Sequence, residues 1–371
     1  MGIQIGSATA RRGEIVNGWF EAIDLPTGGF DRFPVVVAQG SEDGPVVWLT
    51  TGVHGDEHTG LIVFHRLFTE ALVSGLRGTV IAMGPLSPAG MRVKSRQSYY
   101  LEGDPNRCFP DPLGKVTYRS SQAIPAQEAA YEKVYNLIRE TAPAAVLDLH
   151  NAWIGSVPFA FRDPVFYGRR LDGMGKLRSR REAEDLNRAN GRLFDALGFT
   201  TINEFVAASY VNKDLHRSVS GAVLNGLGIP AVTVELGSWM YVQPEIVEAG
   251  IRAIRNVLRY FGMLADPVET LEMIPVIRPE YPIRRHMHPI VPQAGIVDMQ
   301  VSPGDKITCG QTVAYLRDIF GNPLGKHGGR LVTEHDGFVL GWPHGVVRYK
   351  GEAVASLAIE DETDMVVSVP G

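Results

Sequence analysis

Residues 44–72 read GPVVWLTTGVHGDEHTGLIVFHRLFTEAL, and the pattern changes character twice along this stretch. GPVVWLTTG is a β-branched apolar run bounded by Gly and Pro, the signature of a buried strand. TGLIVFHRLFTEAL spaces its apolar residues at helical intervals, which predicts a helix over 59–72. Between the two, His54, Asp56, Glu57 and His58 crowd into five positions. Strand, turn and helix in this order form the unit of an α/β sheet, in which ligands bind beyond the carboxyl ends of the strands.

The same strand pattern recurs in FPVVVAQG, GTVIAMGP, AAVLDLH and IPAVTVELG, and the helical one in AQEAAYEKVYNLIRET, SRREAEDLNRANGRLFDALG and QPEIVEAGIRAIRNVLRYFG. Their alternation predicts an α/β fold, a largely parallel or mixed sheet flanked by helices. Near residue 272 the pattern changes to prolines, glycines and short strand-like pieces with no helix. Within that tail SPGDKITCGQTVAYL and RYKGEAVASLAIE echo one another, which predicts a small all-β module of two similar halves. The expected division is residues 1–272 and residues 273–371.

Composition narrows the function classes. The chain has 371 residues, 44% of them apolar and 21% charged, with a net charge of -5, so no basic surface announces nucleic acid. No window approaches the ~18 to 20 continuous apolar residues of a membrane span, and the N-terminal segment lacks a signal-type apolar core. A cytoplasmic protein without a membrane partner is expected. Cys108 and Cys309 lie far apart and read as ordinary thiols of a reducing compartment.

His54 and Glu57 form an H-x-x-E pair at a strand end, and a spacing of three brings both onto one face of a helical turn. Imidazole and carboxylate both suit zinc, and a catalytic zinc takes three protein ligands. His150, at the end of AAVLDLH, is the candidate for the third, and Asp148 two positions earlier points to the same side of the strand. A lone H-x-x-E pair is equally what a solvated loop carries, and His58 could replace His54, although on a helix it turns roughly 100° away from Glu57. His58 and His65 read better as surface or packing residues; Asp56 has no assigned role.

YYLEGDPNRCFPD places Asn106 and Arg107 in a proline-bounded loop where a helix is not expected. A guanidinium fork with an adjacent amide suits a substrate carboxylate, though an exposed loop pair is the plainer reading. Upstream, MRVKSRQ carries Arg92, Lys94 and Arg96, which alone would be a solvated basic cluster. Glu235 ends the strand AVTVELG; a desolvated strand end raises a carboxyl pKa and suits it to move protons, whereas a salt-bridged glutamate would be structural.

Taken in order, GVHGDEHTG, DPNRCFP, LDLHNA and VTVELG resemble the succinylglutamate desuccinylase and aspartoacylase family, a branch of the zinc carboxypeptidase fold, over approximately residues 45–260. The resemblance implies one zinc per chain held by His54, Glu57 and His150, Glu235 as general base and acid, and Asn106 with Arg107 holding a substrate carboxylate. It also implies an arginine that polarises the scissile carbonyl, for which Arg96 is the nearest candidate. Ser87-Pro88 stands where the family commonly has Asn-Pro, and Asp104-Pro105-Asn106-Arg107 where it has Asp-Leu-Asn-Arg.

The tail resembles the small barrel of biotinyl and lipoyl carrier domains but lacks their Met-Lys-Met turn, so no such modification is expected. Its expected role is to cover the site or to make subunit contacts in a homo-oligomer. The implied activity is zinc-dependent hydrolysis of the amide of an N-acyl amino acid or a similar small carboxylated amide. The alternatives are a carboxypeptidase acting on peptide or cell-wall fragments and a non-catalytic zinc-binding assembly protein. Substrate specificity is expected from NEFVAASYVNKDLHRSVSG, with Tyr210 and Arg217 as substrate-binding candidates and Lys213 and His216 beside them.

Overall fold

A computed structural model describes residues 2–115 and 123–370. Its frame is a mixed sheet of twelve strands whose centre is four parallel neighbours: Arg77–Met83, Glu42–Thr51, Ala145–Ala152 and Ala231–Ser238. The apolar runs of these strands are continuous because both faces are covered. Val47, Leu49, Leu147 and Val234 pack on one side with the helices Thr59–Leu67, Arg180–Leu197 and Pro244–Tyr260, while Trp48, Val146 and Ala231 point to the other, against the helix Ala126–Thr141. Such two-sided burial is what parallel strands require.

The helix expected over 59–72 is interrupted. It ends at Leu67, and a second helix, Glu70–Gly75, starts behind Thr69, whose side-chain oxygen accepts from the Leu72 N–H at 3.3 Å. A threonine cap competes with the continuous ladder that the apolar spacing suggests. Asn106 and Arg107 likewise lie in a single 3-10 turn, Pro105–Arg107, and not in an irregular loop; the Asp104 carboxylate caps it by accepting from the Asn106 N–H at 2.9 Å.

Beyond the parallel centre the sheet runs through the short strands Phe159–Arg162 and Thr200–Asn203 into the C-terminal part, where Asn203 pairs with Arg284 of the strand Ile283–Met287. Among the described residues from 283 onward, only the one-turn His327–Gly329 is helical. The C-terminal strands make two four-strand rows. One is Lys306–Ile307, Gly337–Gly341, Ser356–Glu360, Ile283–Met287; the other is Val347–Arg348, Gly295–Met299, Thr312–Arg317, Arg330–Val332. Exchanging the first four of these strands in chain order for the last four converts one row into the other. The two echoing segments therefore occupy equivalent places, around a core that includes Val297, Ile307, Leu316, Val339 and Leu357. No described helix is long and apolar enough to cross a membrane.

Candidate metal centre and its cavity

Strand register brings the chemistry together. In the paired parallel strands Asp148 stands opposite Thr233 and His150 opposite Glu235, so all four side chains leave the sheet on one face. The turn after Glu42–Thr51 reaches the same place. Gly52 enters it at φ +64°, and Gly55 approaches the helix Pro88–Val93 so closely that a Cβ would stand 2.0 Å from the Gly90 carbonyl carbon. Glycine is required there by contact, beyond its freedom in a turn.

His54, Glu57 and His150 are buried, and their ligand atoms all lie within 4.8 Å of one another. His54 Nδ1 is 2.7 Å from Glu57 Oε1 and His150 Nδ1 is 2.8 Å from Glu57 Oε2. Burial works against the Glu57 charge, yet the two imidazoles hold its carboxyl well below the usual range. The outer nitrogens are fixed as well: His150 Nε2 meets Asp148, itself held by the Thr50 hydroxyl at 2.7 Å, and His54 Nε2 meets Asp104 at 2.8 Å. Asn151 completes the frame, its N–H donating to Glu57 Oε2 at 3.0 Å and its side-chain amide to the Leu236 carbonyl at 2.9 Å. Two imidazoles and a carboxylate, buried, convergent and oriented by carboxylates behind them, fit a zinc ion in donor type and arrangement.

Glu235 stands beside this cluster with Oε2 buried and unpartnered. Burial pushes its carboxyl up to about 7; His150 opposes the rise and Glu57 adds to it. Half-exposed Arg96 donates to Glu57 Oε1 at 3.1 Å and to Asp104 Oδ2 at 2.9 Å. Arg107 donates from Nε to the Lys213 carbonyl at 2.9 Å and from Nη1 to the Asn106 carbonyl at 2.6 Å, while Asn106 Oδ1 accepts from the Val219 N–H. Glu235, Arg96, Asn106 and Arg107 line one cavity of about 610 Å³ together with His54, Glu57 and His150.

Two assignments need correction. Tyr210 is fully buried in a cluster with Leu113, Phe166 and Val211, and it does not line the cavity. Arg217 is also buried away from it, donating to the Glu128 carboxylate at 2.8 Å and to the Phe109 carbonyl at 3.1 Å. His216, entirely buried 3.3 Å from Asp111, and Lys213, over the Phe205 ring, are outside the lining too. The segment does wall the cavity, through Glu204, Leu215 and Ser218. His58 bonds the Gly55 carbonyl at 3.2 Å and takes no part in the cluster, whereas Asp56 does line the cavity.

The sequence reading singles out none of the other lining residues, although its specificity segment includes Glu204. Asp163 and Glu204 follow the four-residue strands FAFR and TTIN, too short and too polar at their ends to announce themselves. Arg285 and Met287 come from the first C-terminal strand, and residues 343–345 from a turn in the second half of the tail. Arg285 pairs with Glu204 at 2.8 Å and lies over the rings of Trp153, Phe161 and Phe205.

The class that these features define is a mixed α/β fold that gathers two histidines and a glutamate at the carboxyl edge of its sheet, beneath an all-β tail. Residues 43–162 match the succinylglutamate desuccinylase/aspartoacylase catalytic domain. It is 25% identical over 296 residues to the N-alpha-acetyl-L-2,4-diaminobutyric acid deacetylase of Halomonas elongata, covering 78% of this chain and 75% of that one. The fold is shared with a succinylglutamate desuccinylase/aspartoacylase from Rhodobacter sphaeroides (TM-score 0.70, 21% identity, 94% of this chain and 96% of that one). It is shared also with the product-bound ectoine utilization protein EutE (DoeB) from Ruegeria pomeroyi (TM-score 0.69, 18% identity, 93% and 95%).

Proposed function

We propose that the protein hydrolyses the amide bond of a small N-acyl amino acid, with one zinc ion held by His54, Glu57 and His150. The observation that carries this reading is the buried His54–Glu57–His150 cluster with Glu235 in register beside it, in a cavity sized for a metabolite. When bound, zinc supplies a Lewis acid that polarises a carbonyl and lowers the pKa of water toward ~7. Glu235, with a free carboxylate oxygen, takes the proton of the attacking water and returns it to the leaving nitrogen. Arg96 offers its guanidinium to the scissile carbonyl oxygen, and Asn106 with Arg107 holds the substrate carboxylate, which fixes orientation.

Residues 273–371 act in this reading as a separate β unit that covers the site. Arg285, Met287 and residues 343–345 close one side of the cavity, which favours a small amide over a peptide chain. The Halomonas relative's named substrate, an acetylated amino acid, supports the same chemistry. The two unpaired thiols, buried Cys108 and exposed Cys309, agree with a cytoplasmic enzyme. A screen of zinc-loaded protein over N-acyl amino acids and C-terminal dipeptides tests the proposal. Release of free amino acid from the former alone is expected; cleavage of the dipeptides alone would replace it with the carboxypeptidase reading.

A further inference from the structure

The cavity holds two carboxylates that neither the metal centre nor the carboxylate clamp uses, Asp56 and Asp163. Among its lining acids, Glu57 and Glu235 belong to the centre and Glu204 is neutralised by Arg285 at 2.8 Å, while Asp56, buried with an unpartnered Oδ1, sits in the turn between His54 and Glu57 and so answers to the charge of the centre itself. Asp163 is different. It is 3% exposed and its Oδ2 accepts from the Ser220 hydroxyl at 2.6 Å, but among the described residues no Lys, Arg or His forms an ion pair with it. Arg107, which also lines the cavity, is held by the backbone carbonyls of Lys213 and Asn106 and lies 3.7 Å from the Asp104 carboxylate.

A buried carboxylate without a counter-charge is costly, and proteins ordinarily remove or pair it. Burial pushes this one up to about 7, a rise that the Ser220 bond and the field of Arg107 only partly offset. An acid kept in this condition on a cavity wall is completed by a cationic ligand.

We propose that Asp163 receives a positively charged amino group of the substrate, so that the enzyme takes mono-acylated diamino acids. The proposal rests on the deacylase reading above and narrows its substrate class. Asn106 and Arg107 then hold the carboxylate, Asp163 the free ammonium, and the acylated nitrogen faces Glu235. Two isomers share that chemistry: an Nα-acyl diamino acid with a free side-chain ammonium, and a side-chain-acylated one with a free α-ammonium.

The test compares kcat/KM of the zinc-loaded protein for Nα-acetyl-2,4-diaminobutyrate, Nγ-acetyl-2,4-diaminobutyrate, the isosteric neutral Nα-acetylnorvaline and the anionic Nα-acetylaspartate. At least one diaminobutyrate isomer should exceed norvaline by ~100-fold, the scale of an unpaired buried charge at an interface, and the preferred isomer identifies the source of the ammonium. Asp163→Asn should cut that preference to under ~10-fold, through a raised KM for the preferred diaminobutyrate isomer. Equal or better hydrolysis of norvaline or aspartate by the unmodified protein overturns the assignment of Asp163 without any variant, so a poorly folding Asp163→Asn does not blunt the test. Hydrolysis of none of the four removes the deacylase reading itself and the assignment with it.

Discussion

At the scale of single residues, the site separates groups that would do chemistry from groups that hold them. Glu235→Gln should leave zinc content unchanged and lower turnover by at least ~100-fold, measured as kcat on the best substrate of the screen; near-normal turnover would take Glu235 out of the mechanism. Arg107→Ala should raise KM by ~10- to 100-fold for a carboxylated substrate, the value of one or two charge-assisted hydrogen bonds, with kcat less affected. Arg217→Ala should instead act on stability: the buried ion pair with Glu128 and the bond to the Phe109 carbonyl would be lost, at a cost of about 3 kcal/mol in denaturant titrations, while KM of the folded fraction stays put. His54, Glu57, His150 and Glu235 were legible in the sequence because each ends or follows a strand whose apolar run is unmistakable. Tyr210 and Arg217 were misread because a polar, histidine-containing segment looks like loop surface. It folds instead into short buried turns, Ala207–Asn212, Leu215–Arg217 and Val219–Ala222, in which Tyr210 fills the core.

Elements, and the junctions between them, decide how the cavity is closed. The C-terminal strands attach through the bridge Ile154–Trp342, through Val366–Ser368 running parallel to Val165–Tyr167, and through the parallel pair Asn203–Arg284, which a buried cluster reinforces. Asp361 accepts from Asn203 Nδ2 at 2.7 Å and from Arg284 Nη2 at 2.6 Å, while Arg284 also donates to the Glu204 carbonyl. Burial alone would raise the Asp361 carboxyl, but Arg284, Asn203 and Thr363 bring it below the ordinary carboxylate value. A lowered folded-state pKa contributes stability that is present above the unfolded value, about 4, and is lost as pH falls through the folded one. Asp361→Asn should therefore lower Tm at neutral pH and flatten the fall in Tm below about pH 4; an unchanged acid limb would show that the cluster is not coupled to folding. The central strands and the three long helices could be read from periodicity. The closing strands FAFR and TTIN could not, since four residues with an Arg or Asn at the end carry no period, and with them went Asp163 and Glu204.

For the whole molecule, the fold places one buried donor set at the edge of a continuous sheet and roofs it with a tail whose two halves mirror each other. The sequence echo between SPGDKITCGQTVAYL and RYKGEAVASLAIE was enough to suggest that symmetry, because turn and strand recur at similar spacing. That the tail contributes Arg285, Met287 and residues 343–345 to the cavity was not, since the contact arises from how the sheet continues across Asn203 and Arg284 and from the bridge between Ile154 and Trp342. The central claim, a deacylase working through a zinc held by His54, Glu57 and His150, is tested most directly by metal analysis of protein purified in zinc-replete medium, coupled to N-acyl amino acid hydrolysis before and after chelation. The account predicts about one zinc per chain, activity lost on chelation and restored by zinc, and neither zinc nor activity in His150→Ala. Less than one zinc per ten chains, or hydrolysis that persists in the metal-free protein, would contradict it.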